Sequence, residues 1–240
     1  MAITITDDLG LQSKTTGSTL AFNATSTGAG DTIVVAALCF ANATAPTCSD
    51  NAGNTYTLIK TLPFNAGTNS LCVFYCPNAN ATTGGVTLFT VNFGVSSSVR
   101  VANLWNIAGL GASATADVSP STTGSTSTPS LASGTLANAA EAVFAFLGIN
   151  RAAGGTFTID TANGWGSTGS NVGSSGGSAA TNLNMCSEWQ VVAATTSRTA
   201  APTITAAPWG DIVVSFKAGV AAVQQKVTNI SQAVKRASYW

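Results

Sequence analysis

The chain has 240 residues, 45% of them hydrophobic but only 8% charged, with nine Lys plus Arg balanced by nine Asp plus Glu. So few charges leave Ser, Thr, Asn, Gln, Gly and Ala to make the solvated surface, and with no net charge there is no basic field to draw phosphates, so nucleic acid is not an expected partner. Histidine is absent altogether, which removes the commonest general base and the commonest metal ligand.

The opening Met1-Ala2-Ile3-Thr4-Ile5-Thr6-Asp7-Asp8 has neither the basic nor the apolar region of a secretory signal. No apolar run reaches the roughly 18 residues of a spanning helix. The expectation is a chain without a signal peptide or a membrane partner, made in the cytoplasm or supplied as a mature form. From there, short runs rich in Val, Ile, Thr, Phe and Tyr recur between Gly, Asn, Ser and Pro clusters, as in an all-β sandwich or barrel. They are Thr32 to Phe40, Asn54 to Thr61, Ser70 to Tyr75, Val86 to Phe93, Val99 to Ile107, Ala142 to Ile149, Thr156 to Asp160, Met185 to Val192 and Ile212 to Phe216. Nothing ahead of Gly219 reads as a long helix.

These runs repeat in order. Ile33 to Leu38 matches Ala142 to Leu147. The turn Asp50-Asn51-Ala52-Gly53-Asn54 before Tyr56 matches Asp160-Thr161-Ala162-Asn163-Gly164 before Trp165. Leu71 to Tyr75 matches Met185 to Trp189, Val86-Thr87-Leu88 resembles Pro202-Thr203-Ile204, and Val101 to Trp105 resembles Ile212 to Phe216. The repeat halves are about 20–110 and 131–218, joined by the Ser/Thr/Gly/Pro stretch 119–133, which reads as a linker or an extended edge segment. Two small sandwiches in tandem, or one jelly roll to which both halves contribute strands, both fit. The expected fold class is all-β, a jelly-roll-like β-sandwich with an internal two-fold repeat over 1–218, because merging the halves buries a larger core.

From Gly219 the pattern changes to Val220, Val223, Val227, Ile230, Val234 and Ala237, a heptad-like spacing that predicts a short amphipathic helix over 219–240. Such a helix is marginal alone in water, so it needs a surface to pack on. Val220, Val223, Val227, Ile230 and Val234, with Tyr239 and Trp240 at the end, are the expected partner-binding residues, toward another copy or a neighbouring protein, with folding back on the sandwich as the alternative. β-branched residues at both seam positions lean toward a trimer.

No catalytic residue, cofactor or metal site is expected. Cys39, Cys72, Cys76 and Cys186 fall in apolar runs and read as small buried hydrophobes. Cys72 and Cys76 would lie roughly 13 Å apart along a strand, too far to share a bridge or a metal. Pairs of acids such as Glu141 with Glu188, or Asp50 with Asp160, would have to meet in space to act as acid and base. The two Asp turns could in principle ligate calcium, but their spacing is not that of an EF-hand, and Asp and Asn also stabilise turns through their own backbone. Trp105 and Trp189 read as core. Trp165 and Trp209 each neighbour a Gly in a loop-like segment and are the candidates for surface contact, to a glycan for instance.

The ordered set Gly30-Asp31-Thr32-Ile33-Val34-Val35-Ala36, Ser49-Asp50-Asn51-Ala52-Gly53-Asn54-Thr55-Tyr56-Thr57, Trp105-Asn106-Ile107-Ala108-Gly109-Leu110, Glu188-Trp189-Gln190-Val191-Val192 and Trp209-Gly210-Asp211-Ile212-Val213-Val214-Ser215-Phe216-Lys217 resembles β-sandwich modules of phage structural proteins and bacterial surface proteins. The resemblance implies a jelly-roll-like fold, no catalytic residues, and a place on the virion surface as a bacteriophage head decoration or cement protein or a short fibre. The partners it implies are other copies and other virion proteins. The alternative is an adhesion or glycan-binding module of a phage tail or cell surface.

Overall fold

The computed structural model describes residues 2–13, 16–24, 27–81, 87–152, 155–166, 171–173, 178 and 182–218. The predicted helix at 219–240, with Val220, Val223, Val227, Ile230, Val234, Tyr239 and Trp240, lies outside the described residues. Among those described, every strand pairing is antiparallel. The all-β expectation therefore holds.

The first half supplies β1 (Thr4–Ser13), β2 (Gly17–Ala24), β3 (Thr32–Cys39), β4 (Thr47–Asp50), β5 (Thr57–Phe64), β6 (Asn69–Cys76), β7 (Thr87–Ser97) and β8 (Arg100–Ala108). Five of these form a large sheet in the order β1-β8-β3-β6-β5, and the other three a small one, β2-β7-β4. Then come β9 (Thr115–Ala116), β10 (Ser121–Gly124), β11 (Leu131–Ala132), β12 (Glu141–Asn150), β13 (Phe157–Thr158), β14 (Asn171–Gly173), β15 (Leu183–Val192), β16 (Thr199–Ala200), β17 (Thr203–Ile204) and β18 (Trp209–Lys217). They form a second large sheet, β10-β18-β12-β15-β14 with β9 also on β18, and two small ladders, β11-β16 and β13-β17.

The two large sheets pack face to face. Val34, Ala36 and Leu38 of β3 share one core with Ala142, Phe144 and Phe146 of β12. Trp105 from the first half sits 4.9 Å from Phe146 and 6.0 Å from Phe144, ring centre to ring centre, and such pairs add about 0.5–1.5 kcal/mol beyond their buried area. The alternate residues of β3, Ile33, Val35 and Ala37, pack outward against Phe89, Val91 and Phe93 of β7. On the far side, Val143 and Ala145 pack with Leu131 and Trp165, and Leu147 and Ile149 with Phe157 and Ile204. The result is a stack of β layers with the large sheets in the middle. It explains why β3 and β12 are buried at every position: a strand covered on both faces reads as a continuous apolar run, not an alternating one.

Each large sheet takes its strands from one side of residue 110, so the halves meet by face packing and not by exchanging strands. The stretch 119–133 carries the edge strand β10 and the short β11, which is the edge-segment alternative and not a free linker. β10 pairs along Trp209–Ile212, and just ahead of it Val213 N and Ser215 N donate to Pro120 O (3.1 Å) and Val118 O (3.1 Å). β1 and the start of β2 lie ahead of the boundary expected near residue 20. The match of Ile33 with Ala142 is one residue out, because Ile33 faces outward and Ala142 faces the shared core. A slip of one residue moves a whole strand to its other face. In the ladders Ala37 pairs with Cys72 and Leu147 with Cys186, so an alignment made on those two cysteines would set Ile33 against Val143.

Candidate functional site

The two Asp turns are built alike. Asp50, at the end of β4, accepts at Oδ1 from Ala52 N (2.9 Å) and Asn54 N (3.1 Å), and at Oδ2 from Asn54 Nδ2 (2.8 Å) and the Tyr56 hydroxyl (2.8 Å). Asp160 caps a 3-10 turn over Thr161–Asn163. Its Oδ1 accepts from Asn163 N (3.2 Å), and its Oδ2 from Asn163 Nδ2 (2.6 Å) and Ala201 N (3.1 Å). Gly164 follows at φ 79, a left-handed position that suits glycine. Both carboxylates thus hold their own turns, the role expected for Asp in this setting, and Asp160 also ties its turn to the backbone at Ala201.

Above the Asp50 turn lies a pocket of about 400 Å³ between the edge strands β4 and β5. Pro46, Leu58 and Phe74 give it apolar walls, and Thr47, Thr55 and Cys48 add small polar groups. The polar tips of Tyr56 and Asn54 are already committed, since both donate to Asp50 while Asn54 Oδ1 accepts from Asn80 N (2.8 Å). Burial pushes the Cys48 thiol well above its usual range, with the Asp50 charge adding to the effect. The thiolate is the nucleophilic form, so the pocket offers shape and apolar surface, not an activated nucleophile.

The structure overturns the expectation that Trp165 and Trp209 are surface residues. They are 3% and 5% exposed. Trp165 fills the small core beside Val143 and Val213, and its Nε1 donates to Thr199 O (2.7 Å). Trp209 is covered by the 119–133 stretch. Its Nε1 donates to Thr126 O (3.1 Å), and a Cβ at Gly124 would run into its ring. The glycine that closes on the Trp209 ring is Gly124, remote in sequence, while Gly210 beside it faces the Phe64 side chain and Gly166 beside Trp165 faces Trp189 O. Trp105 is fully buried as expected, while Trp189 is only partly so.

The cysteines Cys39, Cys72, Cys76 and Cys186 are buried and all five are free. Burial raises the thiol pKa of Cys39 and of Cys186 to about 12. Asp50 and Asp160 stand on separate halves, each in its own loop. Among the described residues no group of three or more His, Cys, Asp or Glu side chains is placed to hold a metal, and no helix is long and apolar enough to cross a membrane.

The sequence reading weighs Glu188 only as a partner for Glu141, which lies four residues further along the ladder, and misses Asp211; these two are buried acids under β13 and β17. Glu188 on β15 and Asp211 on β18 are each 1% exposed. Glu188 Oε2 accepts from Asp160 N (2.7 Å), but Glu188 Oε1 and both Asp211 carboxylate oxygens have no hydrogen-bond partner. Burial, with the Asp160 charge, raises Glu188 to about 7 against the pull of the Asp160 amide. Burial also holds Asp211 well above the usual carboxyl range, and the Glu188 charge adds to this against a smaller pull from the Ile212 amide. The signal was present in sequence, as single acids inside runs otherwise read as apolar strands.

The fold and these sites define an all-β protein of stacked antiparallel sheets, with an open pocket at one sandwich mouth. No family model, no curated protein and no solved structure matches the chain.

Proposed function

We propose that the chain is a virion structural protein, a phage head decoration or cement protein or a short fibre, built from a duplicated β-sandwich. The observation that carries this reading is the back-to-back packing of two large sheets with the same strand order. Counted from their first strands, β1-β8-β3-β6-β5 is repeated by β10-β18-β12-β15-β14. The corrected register, the shared cysteines Cys72 and Cys186, and the matching turns at Asp50 and Asp160 support the duplication. Each half is then a sandwich in its own right, the tandem arrangement that the sequence left open, and not one jelly roll drawing strands from both halves. A stack cored by aromatic rings and covered by uncharged polar residues suits a stiff part that holds a lattice position. The striped tail at 219–240 supplies the attachment, to other copies as a trimer or to neighbouring virion proteins.

Proteomics of purified particles is the test: the protein co-purifies at a fixed ratio to the major shell protein, and its absence from particles refutes the reading. Light scattering on the full chain and on a version ending at Lys217 tests the tail, with a trimer falling to a monomer as the expected result. Adhesion or glycan binding is the second reading, favoured by the pocket beside Tyr56 and no longer by Trp165 and Trp209. Replacing Leu58 by Asp in the pocket wall should abolish glycan or cell binding under that reading.

A further inference from the structure

The outer face of the second large sheet breaks a pattern that the first one keeps. In the first sheet, Phe74 lies opposite Val35 and Ala102 opposite Ala37, all apolar and all in the core under β7. In the second, Glu188 lies opposite Ala145 and Asp211 opposite Leu147. By the duplication proposed above these are corresponding places, so an aromatic and a methyl give way to two carboxyls; the burial and the missing partners stand without that comparison. Burying a carboxylate without a partner is costly, and the group responds by keeping its proton.

We infer that Glu188 and Asp211 form a proton-binding site that locks the outer layer of the second half, β13 with the Asp160 turn and β17, onto the large sheet. The lock has a defined contact: Glu188 reaches across layers to the Asp160 amide. Around that amide, Asp160 takes Ala201 N into the same layer, and Trp165 N donates to Asp160 O (3.3 Å). The other titratable groups facing the pair are Asp160 from the turn and Cys186 on β15, with the Arg151 guanidinium acting on Cys186. Glu141, Asp117 and Lys217 sit together at the far end of the sheet.

The direction follows from the sign of the shifts. Folding raises the pKa of Glu188 from 4.5 to about 7, so the stability its proton contributes is complete below 4.5 and is lost as pH rises through about 7. Asp211, also raised, extends the loss upward. Ionised carboxylates then favour opening of the layer, where water can reach them. For Glu188 alone, the opening equilibrium grows on the order of 50-fold between pH 5 and pH 8.

Hydrogen exchange read by mass spectrometry, corrected for the intrinsic pH dependence of exchange, tests this in the full chain. Peptides covering 157–166 and 200–205 should lose protection on the order of 50-fold more than intrinsic between pH 5 and pH 8, while those covering 33–39 do not. In the E188Q/D211N variant the same peptides should keep a constant protection across that range. Equal protection at both pH values in the wild type, or an undiminished loss in the variant, overturns the inference. If the variant does not fold, the wild-type contrast between 157–166 and 33–39 decides alone. Neither result bears on whether the protein sits on a virion.

Discussion

Two glycines face each other on the inner side of the second large sheet, Gly148 on β12 and Gly210 on β18. The Phe64 side chain from β5 of the other half lies against them. A Cβ at Gly210 would sit 2.9 Å from Phe64 Cδ1, 3.1 Å from its Cγ and 3.2 Å from Leu62 Cδ2. The ring is 2% exposed, so it has nowhere to go. Gly210→Ala should therefore destabilise by about 1–3 kcal/mol through overpacking, offset by about 0.4–1 kcal/mol from the stiffer unfolded chain. Phe64→Ala alone should cost about 3–5 kcal/mol through the cavity it leaves. In the double variant the methyl added at Gly210 enters space the ring vacated, so its own cost disappears and the cycle shows a coupling of about 1–3 kcal/mol. Urea unfolding followed by tryptophan fluorescence supplies the free energies. Additive costs, or a Gly210→Ala variant more stable than the wild type, would refute the claim that the halves are keyed together at this point.

Asp50→Ala removes the acceptor for two backbone amides, the Asn54 amide and the Tyr56 hydroxyl, and should cost about 2–3 kcal/mol in the same unfolding assay, with Asp50→Asn milder. Trp165→Phe leaves Thr199 O without its donor and should cost about 1–3 kcal/mol, while any glycan or cell binding, measured on immobilised ligand, stays unchanged. A thiol reagent at pH 8 should modify Cys48, the half-buried cysteine that lines the pocket, only slowly, because burial holds its thiol protonated. Cys39, Cys72 and Cys186 should react only after denaturant is added, as read by the mass of labelled peptides.

Periodicity found the strands wherever they are apolar throughout. β3, β6, β8, β12 and β18 all carry runs of buried hydrophobes, and each was legible as a strand. What those runs also encoded, and what went unread, is that a strand apolar at successive positions has both faces covered. That fact alone separates a stack of sheets from a single sandwich, whose strands would alternate. Most of the elements that escaped notice are polar, β2 with its buried Leu20 and Phe22 being the exception. β1, β4 and β10 are made largely of Thr, Ser, Gly and Asp, and their backbone pairing on β8, β7 and β18 places them at sheet edges. Composition there says loop, and only the partner strand says otherwise.

The tryptophans failed for a related reason. A glycine beside Trp165 or Trp209 signals a tight approach of backbone as readily as an exposed loop. Here Gly124, remote in sequence, provides the flat surface that closes over Trp209. The buried acids follow the opposite logic. Glu188 lies between Ser187 and Trp189 in a strand with both faces covered, and Asp211 between Gly210 and Ile212 in another. In a half-solvated strand such a residue would face water and mean little. Once the continuous run is understood as doubly buried, an acid within it has no exposed side to occupy, so its position alone marks it as a group held out of water and ready to bind a proton.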